Sequence, residues 1–313
     1  MTGAELISEL RTELQHEIPL PGRGSTAQRH LRLMEFGRRD LSLARLAEAH
    51  YDAVAILAEA SRLATDGAVY GVWASEIPGK GIELHRTGEE LFVSGSKMFC
   101  SGAALIDKAL VTATVPDHRL IAVDLRAYAH TIVIDDSAWK ARAFQETRTA
   151  TVTFRKTPIF ESDIIGPPGW YLSRPGFWHG ACGPAACWAG GAEGLVDYAL
   201  QQNRRDSHTL AHLGAMQAGV WAMRSFLESA GRQMDEQPDD REGAQRHALI
   251  VRHLIEQACT DILRRFARAY GPYPLSMDGS ISQRYVELDL YLRQSHAERD
   301  LEALATVTRD RLH

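Results

Sequence analysis

Gly95-Ser96-Lys97-Met98-Phe99-Cys100-Ser101-Gly102 is the stretch whose reading decides this chain, together with Val72-Trp73-Ala74-Ser75-Glu76 upstream of it. Each segment sets an aromatic ring two positions ahead of a hydroxyl residue: Trp73 before Ser75, and Phe99 before Ser101. An isoalloxazine ring needs that pairing, an apolar contact for its face and hydrogen bonds for its edge. The plainer reading of Trp73 and Phe99 is strand core, which aromatics favour. The neighbouring hydroxyls are what turn the expectation towards a flavin.

The sequence around these segments alternates as strands do. Ile82-Glu83-Leu84-His85 and Leu91-Phe92-Val93 flank a turn in which Gly88 is free to take positive φ, which predicts a hairpin. Ala109–Ala113, Leu120–Val123, Thr131–Ile134 and the alternating Ala150, Val152 and Phe154 continue the pattern, with turn residues between them. The expected middle domain, residues 69–162, is a small antiparallel β-barrel or sandwich.

On either side the period changes to that of helices. Leu43, Leu46, Val54 and Leu57 predict a buried helix ending near Thr65-Asp66-Gly67, in an N-terminal helical domain of residues 1–68. Beyond Gly166-Pro167-Pro168-Gly169, three further helices are predicted. One is the small-residue run from Gly180 to Tyr198, where Gly190 and Gly191 signal close packing. The others carry Leu213, Met216, Val220, Met223 and Phe226, then Leu254, Ala258, Ile262 and Phe266. They make residues 163–313 an antiparallel bundle, with the charged stretch Met234–Gln245 as a solvated connection.

Composition sets the bounds. The 313 residues are 45% hydrophobic and 24% charged, enough for a sizeable core, and the net charge of -5 gives no general attraction to nucleic acid or anionic membrane. No apolar run reaches membrane length and MTGAELISELRTELQHEI reads as an amphipathic helix, so the expected location is the cytoplasm. Cys100, Cys182, Cys187 and Cys259 have no ligand spacing and are expected as reduced core thiols, with no metal site.

In this order of parts and in its motifs, the chain from about Leu31 to Leu304 resembles the acyl-CoA dehydrogenase superfamily, as a shortened and divergent member. The resemblance implies an α+β fold of N-terminal helices, a middle antiparallel β-barrel and a C-terminal four-helix bundle. Ala74-Ser75-Glu76, with Pro78 one place on, is similar to the family's Thr-Glu-Pro, which gives Ser75 the flavin-edge role. Gly95–Ser101 is similar to Gly-x-Lys-x-Trp-Ile-Thr, which gives Phe99 and Ser101 their flavin contacts; Trp73 joins them as a cofactor residue. Tyr198–Arg205 resembles the segment whose arginine reaches the flavin pyrophosphate of a neighbouring subunit, making Arg205 the candidate, with Arg204 close behind. Arg284–Asp289 resembles the Arg-Asp segment ahead of the catalytic region, where Glu298 falls near the position of the family's base and His296 flanks it.

The resemblance therefore implies an FAD-dependent oxidoreductase of fatty acid metabolism. It would desaturate an acyl-CoA or other acyl thioester with Glu298 as base, His296 being the acid/base candidate for a different flavin reaction, and electron-transfer flavoprotein as a partner of a homodimer or homotetramer. Three departures open alternatives. Gly79-Lys80-Gly81-Ile82-Glu83 lacks the family's thioester serine, Ala267–Tyr273 is a reduced cofactor grip, and no Glu-Gly-Thr is present around Glu298. A flavin monooxygenase or oxidase on the same scaffold, or a degenerate homologue that binds no flavin, fits those departures.

Overall fold

The first helices form where the sequence caps and spaces them. In the computed structural model, which describes residues 2–77 and 81–310, helix α1 (Gly3–Glu13) starts at a reciprocal Thr2–Glu5 capping box. It is followed by α2 (Thr26–Arg39) and α3 (Leu41–Glu59). By internal contacts the chain groups into two compact units, one of residues 2–16 and 49–177, the other of residues 17–48 and 178–310.

The first unit holds the strands: β1 (Tyr70–Trp73), β2 (Ile82–Thr87), β3 (Glu90–Cys100), β4 (Lys108–Ala113), β5 (Arg119–Asp124), β6 (Ile132–Asp135), β7 (Ala150–Ile159) and β8 (Ile164–Ile165). They make two four-stranded sheets, β1-β4-β5-β8 and β2-β3-β7-β6. Of the barrel or sandwich expected, this is the open form: among the described residues no closed barrel is found. Strand β1 runs parallel to β4, Tyr70 opposite Lys108 and Trp73 opposite Val111, rather than continuing an antiparallel meander. The hairpin is present as read, with Gly88 at φ 60°.

Ala53, Ile56 and Leu57, on the second half of α3, pack on Tyr70, Leu110, Leu120 and Ile165 of the first sheet. The second sheet buries Val93, Val152 and Phe154 by strand alternation. The Asp107 carboxylate ties this unit together, accepting from the Val69 N–H at 2.7 Å and from the Arg11 guanidinium at 2.8 Å. Short α4 (Trp170–Ser173) and α5 (Pro175–Gly180) lead out of the sheets.

The second unit is helical: α6 (Cys182–Gln201), α7 (Ser207–Glu236), α8 (Arg241–Tyr270), α9 (Tyr273–Met277), α10 (Gly279–Leu292) and α11 (Glu298–Asp310). The solvated connection is shorter than expected: α7 runs to Glu236 and α8 starts at Arg241, N-capped by Asp240. The polar residues at both ends of that stretch continue helix surfaces. Helix α2 docks on α6, and glycine sets the approach: a Cβ at Gly190 would sit 1.9 Å from the Met34 carbonyl oxygen. Salt bridges from Arg38 to Asp197 at 2.6 Å and from Arg224 to Glu193 at 2.8 Å join neighbouring helices. All four cysteines are buried and free. Among the described residues no helix is long and apolar enough to cross a membrane.

Candidate functional site

Strand β3 is interrupted at the motif. Its pairing with β7 shifts register between Lys97 and Cys100, and within that bulge Phe99 takes φ 60° and stands 50% exposed. A non-glycine residue in the left-handed region is uncommon, and bulges re-aim side chains beside functional sites. The Phe99 ring meets Trp139 edge-on at 6.5 Å between centroids. Two residues earlier the chain points inward: Lys97 is buried, and its Nζ donates to the Thr112 carbonyl at 3.0 Å and to Thr112 Oγ1. Burial lowers the Lys97 pKa, an effect opposed by the negative charge of Glu76. Gly95 permits the turn, at φ 119°, where a Cβ would strike the Gly81 carbonyl oxygen.

Trp73 is 3% exposed, and its indole N–H donates to the Ser101 carbonyl at 3.1 Å. It braces Ser101 from the interior. The Ser101 hydroxyl accepts from Thr149 at 3.3 Å; Thr149 in turn meets Thr147, whose hydroxyl donates to Phe144. Ser75 lies exposed just beyond β1. The structure therefore brings Trp73 and Ser101 into contact and leaves Phe99 and Ser75 open. Pro78, Gly79 and Lys80 lie outside the described residues.

Beside this strand end the first unit has a cleft of about 170 Å³ whose lining includes Ala74, Glu76, Thr112, His118, Arg119, Tyr171 and Leu172. His118 Nδ1 stands 3.6 Å from Glu76 Oε1. The His118 carbonyl accepts from Gly169 N at 2.8 Å, which fixes the turn. Arg119 is engaged by Asp117 through Nε at 2.9 Å and Nη2 at 3.2 Å, holding the Asp117 carboxyl below its usual range. Sequence reasoning gave no role to Glu76, Thr112 or His118. The one available signal was a histidine in the Pro116-Asp117-His118 turn between two strands.

The remaining candidates lie in the second unit. Arg205 is exposed between α6 and α7, while the neighbouring Arg204 donates to the Ala269 carbonyl at 2.7 Å. Glu298 is exposed at the start of α11. His296 is exposed too, its backbone N–H 3.2 Å and its Nδ1 3.3 Å from the Asp300 carboxylate. Ahead of them, the buried Arg252 guanidinium donates to the Ala181 carbonyl at 2.8 Å and the Gln294 carbonyl at 2.9 Å, and stacks on Trp188. Among the described residues no group of three or more His, Cys, Asp or Glu could hold a metal.

No family model matches the chain, and no curated protein is similar to it in sequence. Its structure is similar to several solved ones. The FMN- and indole-bound TdsC of Paenibacillus sp. A11-2 superimposes with a TM-score of 0.76 at 14% identity, over 97% of this chain and 96% of that one. The methanesulfinate monooxygenase MsuC of Pseudomonas fluorescens gives 0.75 at 17% identity, over 91% and 83%. An acyl-CoA dehydrogenase of Slackia heliotrinireducens gives 0.73 at 16% identity, over 99% and 91%. With helices, two strand-paired sheets and a helical unit in the same order, the chain has the acyl-CoA dehydrogenase-like fold.

Proposed function

We propose that the protein is a flavin-dependent oxidoreductase that works with flavin mononucleotide and oxygenates a small organic substrate. The observation that carries this reading is Phe99, an aromatic ring held half-exposed and left-handed in a bulge, on the same segment as a braced Ser101. Such strain persists where the surroundings impose it, as at ligand clamps. Phe99 fits the flat face of an isoalloxazine, and the Ser75 and Ser101 hydroxyls fit its edge. A bound reduced flavin supplies the electrons that activate oxygen. The chain's own residues orient that ring and hold its edge.

Two features favour the mononucleotide and oxygenation over FAD and thioester desaturation. Ala267–Tyr273, the reduced counterpart of the dinucleotide grip, spans the end of α8, and its Ala269 carbonyl already engages Arg204, leaving Arg205 as the phosphate candidate. Glu298 is solvent-exposed, whereas a base that removes a proton beside a carbonyl works best partly desolvated. The monooxygenase MsuC and the FMN-bound TdsC share the fold, as does an acyl-CoA dehydrogenase. A homodimer or homotetramer remains the expected assembly.

The test is flavin binding by the purified protein, followed by tryptophan fluorescence with FMN and FAD. Phe99→Ala should weaken FMN binding up to about tenfold, the worth of an aromatic contact. Oxygen uptake with reduced FMN, and no bleaching by acyl-CoA thioesters, is the expected activity. Unaltered binding by Phe99→Ala would remove the reading's main support.

A further inference from the structure

We propose that the Glu76–His118 cleft binds a single-ring phenolic ligand, whose hydroxyl donates to the His118 imidazole while Glu76 orients that imidazole. The proposal goes beyond the flavin reading: the cleft is lined by none of Trp73, Ser75, Phe99 and Ser101, and neither the binding nor its test involves flavin.

Size sets the ring count. The cleft measures about 170 Å³, and a protein cavity of about 150 Å³ takes up benzene. Its apolar walls are Ala74, Tyr171 and Leu172. Tyr171 is a fixed wall: it meets Phe177 edge-on at 5.5 Å, and the Arg174 guanidinium lies 5.3 Å from its ring. Arg174 is itself buried and paired with Glu59. A preformed wall lowers the ordering cost of binding.

Charge sets the polar group. Glu76 disfavours an anionic ligand, and the one guanidinium among the lining residues, Arg119, is already engaged by Asp117. A cationic ligand would seek the Tyr171 face, but a guanidinium lies against that ring. A neutral donor remains. With Nδ1 of His118 3.6 Å from Glu76 Oε1, the neutral imidazole favours its Nδ1–H tautomer, and in that form Nε2 is an acceptor. An O–H on an aromatic ring satisfies it. Thr112, on the cleft wall, accepts from Lys97 Nζ through both its carbonyl and Oγ1, which holds it in place.

The experiment titrates flavin-free protein with phenol and, separately, with toluene, the same ring without the donor. It follows the imidazole signals by NMR, His118 being assigned from His118→Ala. Phenol should shift the His118 signal saturably, and toluene should bind about two- to tenfold more weakly. Glu76→Gln should weaken phenol binding without weakening toluene binding, and Leu172→Trp, which fills the cleft, should abolish both. Should Leu172→Trp fail to keep the wild-type thermal midpoint, Ala74→Leu fills the same space. Equal affinity for phenol and toluene, no saturable His118 shift, or phenol binding unchanged in the folded filled variant would each overturn the proposal.

Discussion

The Trp73 indole N–H donates to Ser101 from a side chain that is 3% exposed, and that bond gives the residue a testable role. Trp73→Phe keeps most of the ring's bulk and removes its hydrogen bond to the Ser101 carbonyl. Loss of one hydrogen bond at this half-buried carbonyl costs about 0.5–1.5 kcal/mol. Thermal unfolding should therefore move to lower temperature, while FMN affinity stays within about threefold of wild type. Large loss of affinity with unchanged stability would instead make Trp73 a direct flavin contact. The two aromatics share one sequence context, a ring two places before a hydroxyl, so no local pattern separates them. What separates them is the bulge, a property of how β3 pairs with β7. Glu76 and His118 were illegible for a similar reason: their approach depends on β1 lying parallel to β4, a pairing between segments far apart in the chain.

At the scale of elements, the periodic segments were the readable ones. Leu43, Leu46 and Leu57 are all buried on α3, as their spacing requires, and the two long helices α7 and α8 take in both ends of the charged stretch, leaving only residues 237–240 as the connection. Gly190 announced close packing without naming its partner, and the partner is α2, drawn from the other end of the chain. The approach is tight from both sides, since a Cβ at Gly37 would lie 2.2 Å from the Cys187 carbonyl oxygen. Backbone atoms cannot yield as flexible side chains do. Gly190→Val should therefore force α2 off α6 and cost at least the roughly 1–3 kcal/mol typical of overpacking. Chemical denaturation, with the exposure of helix α2 followed by hydrogen exchange, checks this. A variant as stable as wild type would mean that the helices slide apart at no cost.

For the whole molecule, two buried histidines, one in each unit, make stability depend on pH. His30 donates through Nδ1 to the Leu227 carbonyl at 2.9 Å, and its Nε2 is buried without a hydrogen-bond partner among the described residues. Protonating that nitrogen would bury an N–H with nothing to accept it. His50 Nδ1 accepts from the Tyr70 N–H at 3.2 Å, so protonation there would break an existing bond. Burial holds both pKa values down at about 4, against 6.5 for a solvated imidazole. Between those limits the unfolded chain binds more protons than the folded one. The stability from neutral His30 and His50 is thus fully present above pH 6.5 and is lost as pH falls towards 4. The loss amounts to at most about 3 kcal/mol for each histidine. Urea denaturation at pH 7 and pH 5 reads most of this window before the carboxylates begin to titrate. Stability should fall by several kcal/mol across that interval, and His50→Gln, whose amide oxygen can still accept from Tyr70, should remove about half of the slope. A flat profile in the wild-type protein would show that both imidazoles reach solvent when charged.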